Sequence, residues 1–159
     1  MSHNNPTQIE KPVSQMRVGI ACAQWNGHIT SRLTHSAVDT LKKAGVSQAD
    51  IEVFEVPGAV ELTFAASQMV DSVRYDVIFV FGFVVRGETP HFDYVCQSVT
   101  QGITILNSDC DIPIIFGVLT VDNEQDALDR AGGCKGDKGA EAAQAAIKMH
   151  NFHVKVTEM

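Results

Sequence analysis

The chain has no CxxC pair, no basic stripe and no long apolar run, and each absence narrows what it does. Its cysteines, Cys22, Cys96, Cys110 and Cys134, are scattered. They lack the paired spacing of a zinc ribbon or a dithiol redox site and read as reduced cytosolic thiols. Twelve Lys and Arg stand against nineteen Asp and Glu, a formal charge of −7. Binding along a phosphate backbone needs clustered cations, so nucleic acid is set aside as a partner. The longest apolar run, residues 77–85, is interrupted by Gly82 and is about half the length of a membrane span. No charged-then-apolar stretch opens the chain, so no secretory signal is visible and the expected location is the cytoplasm. A phosphate loop of the GxxxxGK[ST] type is missing, as is a GxGxxG after a strand. The His and Cys spacings fit no metal template, so no metal is expected. His150 and His153 are expected to lie solvated in the tail.

What is present is a globular composition, 45% apolar and 19% charged over 159 residues, which suits one domain with a full core. The first sixteen residues are polar apart from Ile9, Val13 and Met16 and read as an arm, leaving residues 17–159 as the folded domain. Strand and helix patterns then alternate. Residues 17–23 (RVGIACA) form a continuous apolar run fit for a strand buried on both faces. Leu33, Ala37 and Leu41 recur every four residues as a helix closing near Gly45. Residues 51–56 predict a second strand, ending at Pro57-Gly58, and residues 59–70 a helix. Residues 75–81 (YDVIFVF) are the strongest strand signal, followed by a loop over 82–90. Phe92, Val95, Val99, Ile103 and Leu106 mark a helix of about four turns. Residues 112–119 predict a fourth strand. Helices over 122–131 and 139–150 close the chain, separated by the glycine-rich GGCKGDKG.

This order predicts an α/β fold: one three-layer α-β-α domain with a four-stranded parallel sheet, flavodoxin-like in plan. Right-handed crossovers put the loops after the strands along one edge, where ligands of such folds bind. After strand one comes Trp25, the single tryptophan. It is placed either to stack on a planar heterocycle or to fold over the sheet edge; the position leaves both open. After strand two, Glu61 sits in a first helical turn, where a carboxylate suits the dipole and is also placed to accept ligand hydroxyls. After strand three, residues 86–91 are the densest polar candidate. Gly87 permits a tight turn, Glu88 and Thr89 offer amides and a hydroxyl just ahead of a helix, and His91 is a candidate proton shuttle. The other reading of His91 is a surface histidine at a helix start. Asp93 is a candidate to orient its ring. Past strand four, Arg130, Lys135 and Lys138 surround the glycine-rich link as cations for an anion.

The segments WN (25–26), VPGAVEL (56–62), GFVVRGETPHFDYV (82–95), FGVLT (116–120), EQDALDRAG (124–132) and KGAEAA (138–143) together resemble the 6,7-dimethyl-8-ribityllumazine synthase family of riboflavin biosynthesis, from about residue 17 to the last helix. The resemblance implies a transferase that condenses 5-amino-6-(D-ribitylamino)uracil with 3,4-dihydroxy-2-butanone 4-phosphate without a cofactor. It implies that Trp25 stacks on the pyrimidine and that Ala59, Val60 and Glu61 hold it, with Glu61 on the ribityl hydroxyls. Phe83, Val84 and Val85 would line the ring edge through backbone groups. Glu88 and Thr89 would bind the phosphate, and His91 would move protons. Phe116, Arg130 and Lys138 would come from a neighbouring subunit, Arg130 to the phosphate. A homo-oligomer is implied, a pentamer or pentamer-based capsid, with the arm pairing onto a neighbour's sheet and riboflavin synthase as a further partner. The link over 132–138 is short, like that of capsid-forming members. Three positions depart from the family. Trp25 stands where phenylalanine is usual, Thr63 where proline is common, and Phe83 where a small residue lines the pocket wall. The alternative is a non-catalytic flavin- or pterin-binding relative.

Overall fold

The β-branched and aromatic runs all become parallel strands. In the computed structural model, which describes residues 9–158, β1 (Val18–Ala23), β2 (Ile51–Val56), β3 (Val77–Val85) and β4 (Ile114–Val121) pair in the order β2-β1-β3-β4. Parallel neighbours require long crossovers, supplied by α1 (Gly27–Lys43), α2 (Leu62–Asp71) and α3 (His91–Asp109); α4 (Glu124–Arg130) and α5 (Lys138–Thr157) follow β4. The apolar positions of α1 and α5 close one face, with Leu33, Leu41, Ala143 and Ile147 packed over Ile20, Phe79 and Phe81. Those of α2 and α3 close the other, with Leu62, Ala66, Val99 and Ile103 over Ala21, Ile78 and Val80. The predicted three-layer domain is thus observed.

Several boundaries differ from the sequence expectation. β3 does not stop at Phe81; it runs through Gly82 to Val85, because Leu62 packs over that glycine (an added Cβ would lie 2.9 Å from Leu62 Cδ1) while the ladder to β4 continues. β4 is displaced two residues toward the C-terminus, and α2 is preceded by a 3₁₀ turn at Ala59–Glu61. The glycine-rich link is a small hairpin, β5 (Ala131–Gly133) with β6 (Gly136–Asp137), turned by the left-handed backbones of Gly132 and Gly136. α5 passes His150 and ends at Thr157.

One consequence of register matters most. Pairing of β1 with β3 ends at Cys22–Phe81, whereas pairing of β3 with β4 continues to Val85–Val121. Ala23, the last residue of β1, is level with Gly82, so residues 83–85 overhang the end of β1 by about 10 Å at the usual strand rise. Among the described residues, no strand lies beside their β1-facing edge. This lies between β1 and β3, where the strand order reverses, the position at which doubly wound sheets bind ligands.

Residues 10–14 of the expected arm lie against α5 of their own chain; its first eight residues fall outside the described range. Asn151 Oδ1 accepts from Val13 N at 2.9 Å, and its amide donates to Glu10 Oε1 and Lys11 O, both at 3.0 Å. Ser14 Oγ meets His150 Nε2 at 3.1 Å. His150 is consequently not solvated: it is 4% exposed. The arm covers it from one side and the continuing helix carries it against the core. His153 is half-buried rather than free in solvent.

Burial pushes the His150 pKa below its usual value, opposed by Asp76 and Glu158 and reinforced by His153. The fold thus prefers the neutral ring. Its contribution is complete above the unfolded histidine pKa, near ~6.5, and is lost as pH falls below it. Urea midpoints between pH 7.5 and 5.5 should drop more for this chain than for His150→Gln; equal slopes would refute the assignment. A second expectation concerns Val73, a β-branched residue at φ 54 and 78% exposed, just past α2. A left-handed backbone costs a non-glycine residue roughly 1–2 kcal/mol, part of which glycine forfeits through its greater freedom in the unfolded chain. Val73→Gly should raise the unfolding free energy by up to about 1 kcal/mol, and a lower urea midpoint would contradict it.

Candidate active site

The turn after β1 is tied to the turn after β2 by an extension of the parallel ladder. Gln24 N donates to Val56 O at 2.8 Å and Trp25 N to Pro57 O at 3.0 Å. Asn26 takes a left-handed backbone (φ 59) and its carbonyl accepts from Ile29 N at 2.9 Å, opening α1. The Trp25 side chain is neither tucked into the core nor free. It lies on the backbone of Gly58, where an added Cβ would fall 2.5 Å from its Cε3, and it stays 67% exposed. One face of the indole thus rests on the chain and the remainder is open.

Glu61 folds back on the same turn, its Oε2 accepting from Gly58 N at 2.9 Å. This half of a capping box fixes the carboxylate beside the indole, with Oε1 left for other partners. Ala59 is buried and Val60 is exposed in the intervening 3₁₀ turn. Thr63, one turn on, faces Gly102 of α3, and its hydroxyl is buried without a hydrogen-bond partner among the described residues.

Across the crevice stands the overhang of β3. Phe83 and Val84 are 6% and 9% exposed, packed on opposite faces of the sheet, and Val85 is at the rim. Phe83 therefore does not narrow a pocket wall: its ring belongs to the core under α1 and α5, and only the backbone of residues 82–85 is presented to the crevice. The loop that follows is short. Glu88, Thr89 and His91 are all exposed, and their side chains make no hydrogen bond among the described residues. His91 is the first residue of α3, whose start is closed by Asp93 N donating to Pro90 O at 3.0 Å. Asp93 does not orient the His91 ring; it faces Arg86, at 3.5 Å. The Cys96 thiol is pushed up by burial and by Asp93, the opposite of an activated nucleophile.

Phe116, Arg130 and Lys138 are brought together, but elsewhere. They line a groove of about 590 Å³ along the β4 edge, with Ile115–Val121 as its floor and Glu141, Ala142 and Ala145 on its wall. Trp25, Glu61 and His91 are not among its lining. Arg130 is held by Asp126, its Nη1 donating to the backbone oxygen at 2.7 Å and to Oδ1 at 3.1 Å; Nε and Nη2 have no partner among the described residues. Lys138 Nζ donates to Glu141 Oε2 at 2.6 Å. Lys135 is not in the groove; it sits on Asp126 at 2.7 Å and, with Arg130, holds that carboxyl below the usual range. Sequence reasoning missed Arg86 and Asp122 as a pair, because a loop reading places no contact between residues thirty-six apart. Among the described residues there is no cluster of three or more His, Cys, Asp or Glu able to hold a metal, and no helix is long and apolar enough to cross a membrane.

The match to known proteins covers the same ground. The family model described as 6,7-dimethyl-8-ribityllumazine synthase matches residues 15–153. A 6,7-dimethyl-8-ribityllumazine synthase of Parabacteroides distasonis is 55% identical over 139 residues, 87% of each chain. Those of Phocaeicola vulgatus and Porphyromonas gingivalis are 50% and 52% identical, covering 89% and 84% of this chain and 84% and 83% of their own.

Because Trp25 is the single tryptophan, its emission reports this site alone. Gly58→Ala keeps an extended backbone that alanine adopts freely (φ −150) but places a methyl where the indole rests. Fluorescence anisotropy and the near-ultraviolet circular dichroism band of Trp25 should fall while the far-ultraviolet spectrum is kept. Unchanged anisotropy would show that the ring does not rest on Gly58.

Proposed function

The chain belongs to the 6,7-dimethyl-8-ribityllumazine synthase family, and we propose that it performs that condensation at a composite site made by two copies of itself. It joins 5-amino-6-(D-ribitylamino)uracil to 3,4-dihydroxy-2-butanone 4-phosphate, releasing phosphate and water, in the penultimate step of riboflavin biosynthesis. The observation that carries the reading is the unpaired edge of β3 facing the Trp25–Glu61 turn across the β1/β3 crevice. A flat pyrimidine stacked on Trp25 meets peptide donors and acceptors of residues 83–85 along its edge and Glu61 on its polyol chain. The amides and hydroxyl of Glu88 and Thr89, at the amino end of the nineteen-residue α3, suit a phosphate.

The chemistry asks for positioning and proton movement more than for a strong nucleophile. The pyrimidine's amino nitrogen attacks the ketone, and water leaves as the imine forms. Loss of a carbon-bound proton then expels phosphate. Phosphate loss leaves an enol, which takes a proton at its terminal carbon and becomes a ketone; the ribitylamino nitrogen adds to that new carbonyl, and a second water leaves as the ring closes. His91, exposed and without a hydrogen-bond partner among the described residues, is free to shuttle those protons. No step calls for a cofactor.

Phe116, Arg130 and Lys138 act on the site of the adjacent subunit. Within one chain they line a separate groove on an open sheet edge. Placing a neighbour's strand ends against that groove adds Arg130's free nitrogens to the phosphate. Exposed Phe54, Phe64, Tyr94 and Ile105 support burial between copies. Such burial fits a homo-oligomer, a pentamer or a pentamer-based capsid, working in the cytoplasm. Nothing in the comparisons favours a non-catalytic flavin or pterin binder.

Purified protein given both substrates should form lumazine, followed by absorbance and mass above the uncatalysed background, and form none when either substrate is omitted. No acceleration with tight riboflavin binding would overturn the assignment. Among variants, His91→Ala should be slowed yet active, since positioning survives. Arg130→Ala should lose more, chiefly as a raised KM for the phosphorylated substrate. Steady-state kinetics showing Arg130→Ala to be the milder variant would contradict this division of labour.

A further inference from the structure

The arginine that opens the phosphate loop is not aimed at a ligand. Arg86 leaves the end of β3 with its N–H donating to Val121 O at 3.0 Å, and its side chain is taken up by groups of two other elements. There Nε donates to Asp122 Oδ1 at 2.8 Å, Nη1 reaches Asp93 Oδ1 at 3.5 Å, and the guanidinium lies over the Phe92 ring, 4.2 Å from its centre. From its anchor at the end of β3, one residue thus ties together three segments: β3 itself, the turn after β4 through Asp122, and the first turn of α3 through Phe92 and Asp93. Gly87 to Pro90 is the span between the first and last of these, and His91 is the residue on which it lands.

We propose that Arg86 is a positioning residue for the reaction, which with Asp122 clamps the start of α3 and so sets the Glu88–Thr89 cradle and His91. Planar, forked donors and a stackable face are what such a three-way clamp needs. A lysine supplies one point charge and neither of these. The pairs are exposed, and exposed ion pairs add little to stability. Their effect lies in placement, where a shift of about 1 Å is felt strongly in catalysis. The inference rests on reading residues 86–91 as the phosphate loop.

Asp122→Asn is the decisive variant, because charge and geometry give opposite signs. Removing a negative charge near an anion site tightens anion binding by simple electrostatics, whereas releasing the clamp weakens it. KM for each substrate, with the other saturating, and competitive inhibition by inorganic phosphate are measured on the full chain, together with thermal midpoints. Asp122→Asn should raise KM for the phosphorylated butanone by about three- to tenfold and weaken phosphate inhibition in parallel. KM for the ribityl-pyrimidine should stay within about twofold. Arg86→Lys should show the same split and not restore the wild-type value, and Arg86→Ala combined with Asp122→Asn should be no worse than Arg86→Ala alone.

An unchanged or lowered butanone-phosphate KM in Asp122→Asn overturns the proposal, as does additivity in the double variant. So does a rise in both KM values in step with a falling thermal midpoint, which marks a merely structural role. If inorganic phosphate does not compete with the butanone phosphate in the unaltered protein, the reading of the loop fails first and the proposal with it.

Discussion

Parallel strands cannot be joined by a tight turn; each pair needs a crossover long enough to return over a face of the sheet. With all four sheet strands parallel, every segment following a strand emerges at the same edge. Trp25, Glu61 and His91 are far apart in sequence, yet no special contact is required to gather them. The order β2-β1-β3-β4 adds the second element. β1 sends its crossover to one side and β3 sends its own to the other, which opens a crevice between them. The extra length of β3 over β1 then leaves a peptide edge bare at that place. The ladder that makes the core and the bare peptide edge at the crevice belong to one strand.

Charge is arranged in the same economical way. The chain is acidic overall, and its cations at the strand ends are each matched to a carboxylate: Arg86 to Asp122, Arg130 and Lys135 to Asp126, Lys138 to Glu141. These partners differ in what they leave over. Arg86 is engaged along its edge and its face, while Arg130 is bound through one nitrogen and keeps two. The first arrangement fixes a loop; the second keeps a cation available without leaving it uncompensated.

Much of this was legible in the sequence, and the failures have physical causes. The apolar run over residues 77–85 is β3 itself. Glycine is a poor strand residue, so Gly82 read as a terminus; only the packing of Leu62 from α2 explains why a residue without a side chain continues the strand there. Asp93 is a candidate partner for His91 only by nearness along the chain, whereas in the fold it faces Arg86 across the loop. His150 looked like tail because helix periodicity in α5 fades after Ile147 and the residues that bury it, Ser14 among them, are far away in sequence. What local pattern encodes was readable: strand identity, helix faces, and the order of the motif segments. What depends on a partner in another element was not.

The seat of Trp25 on Gly58 carries one more implication. A tryptophan on an open surface samples several rotamers, and immobilising a side chain at a binding step costs about 0.5–1.5 kcal/mol. Here the absent Cβ of a single glycine lets the indole settle on the backbone during folding, so that conformational entropy is surrendered before any ligand arrives. A flat ring docking on the open face meets a surface already at rest. If the ring is used for stacking, as proposed, the glycine would aid affinity without touching the ligand, by deciding when the ordering occurs.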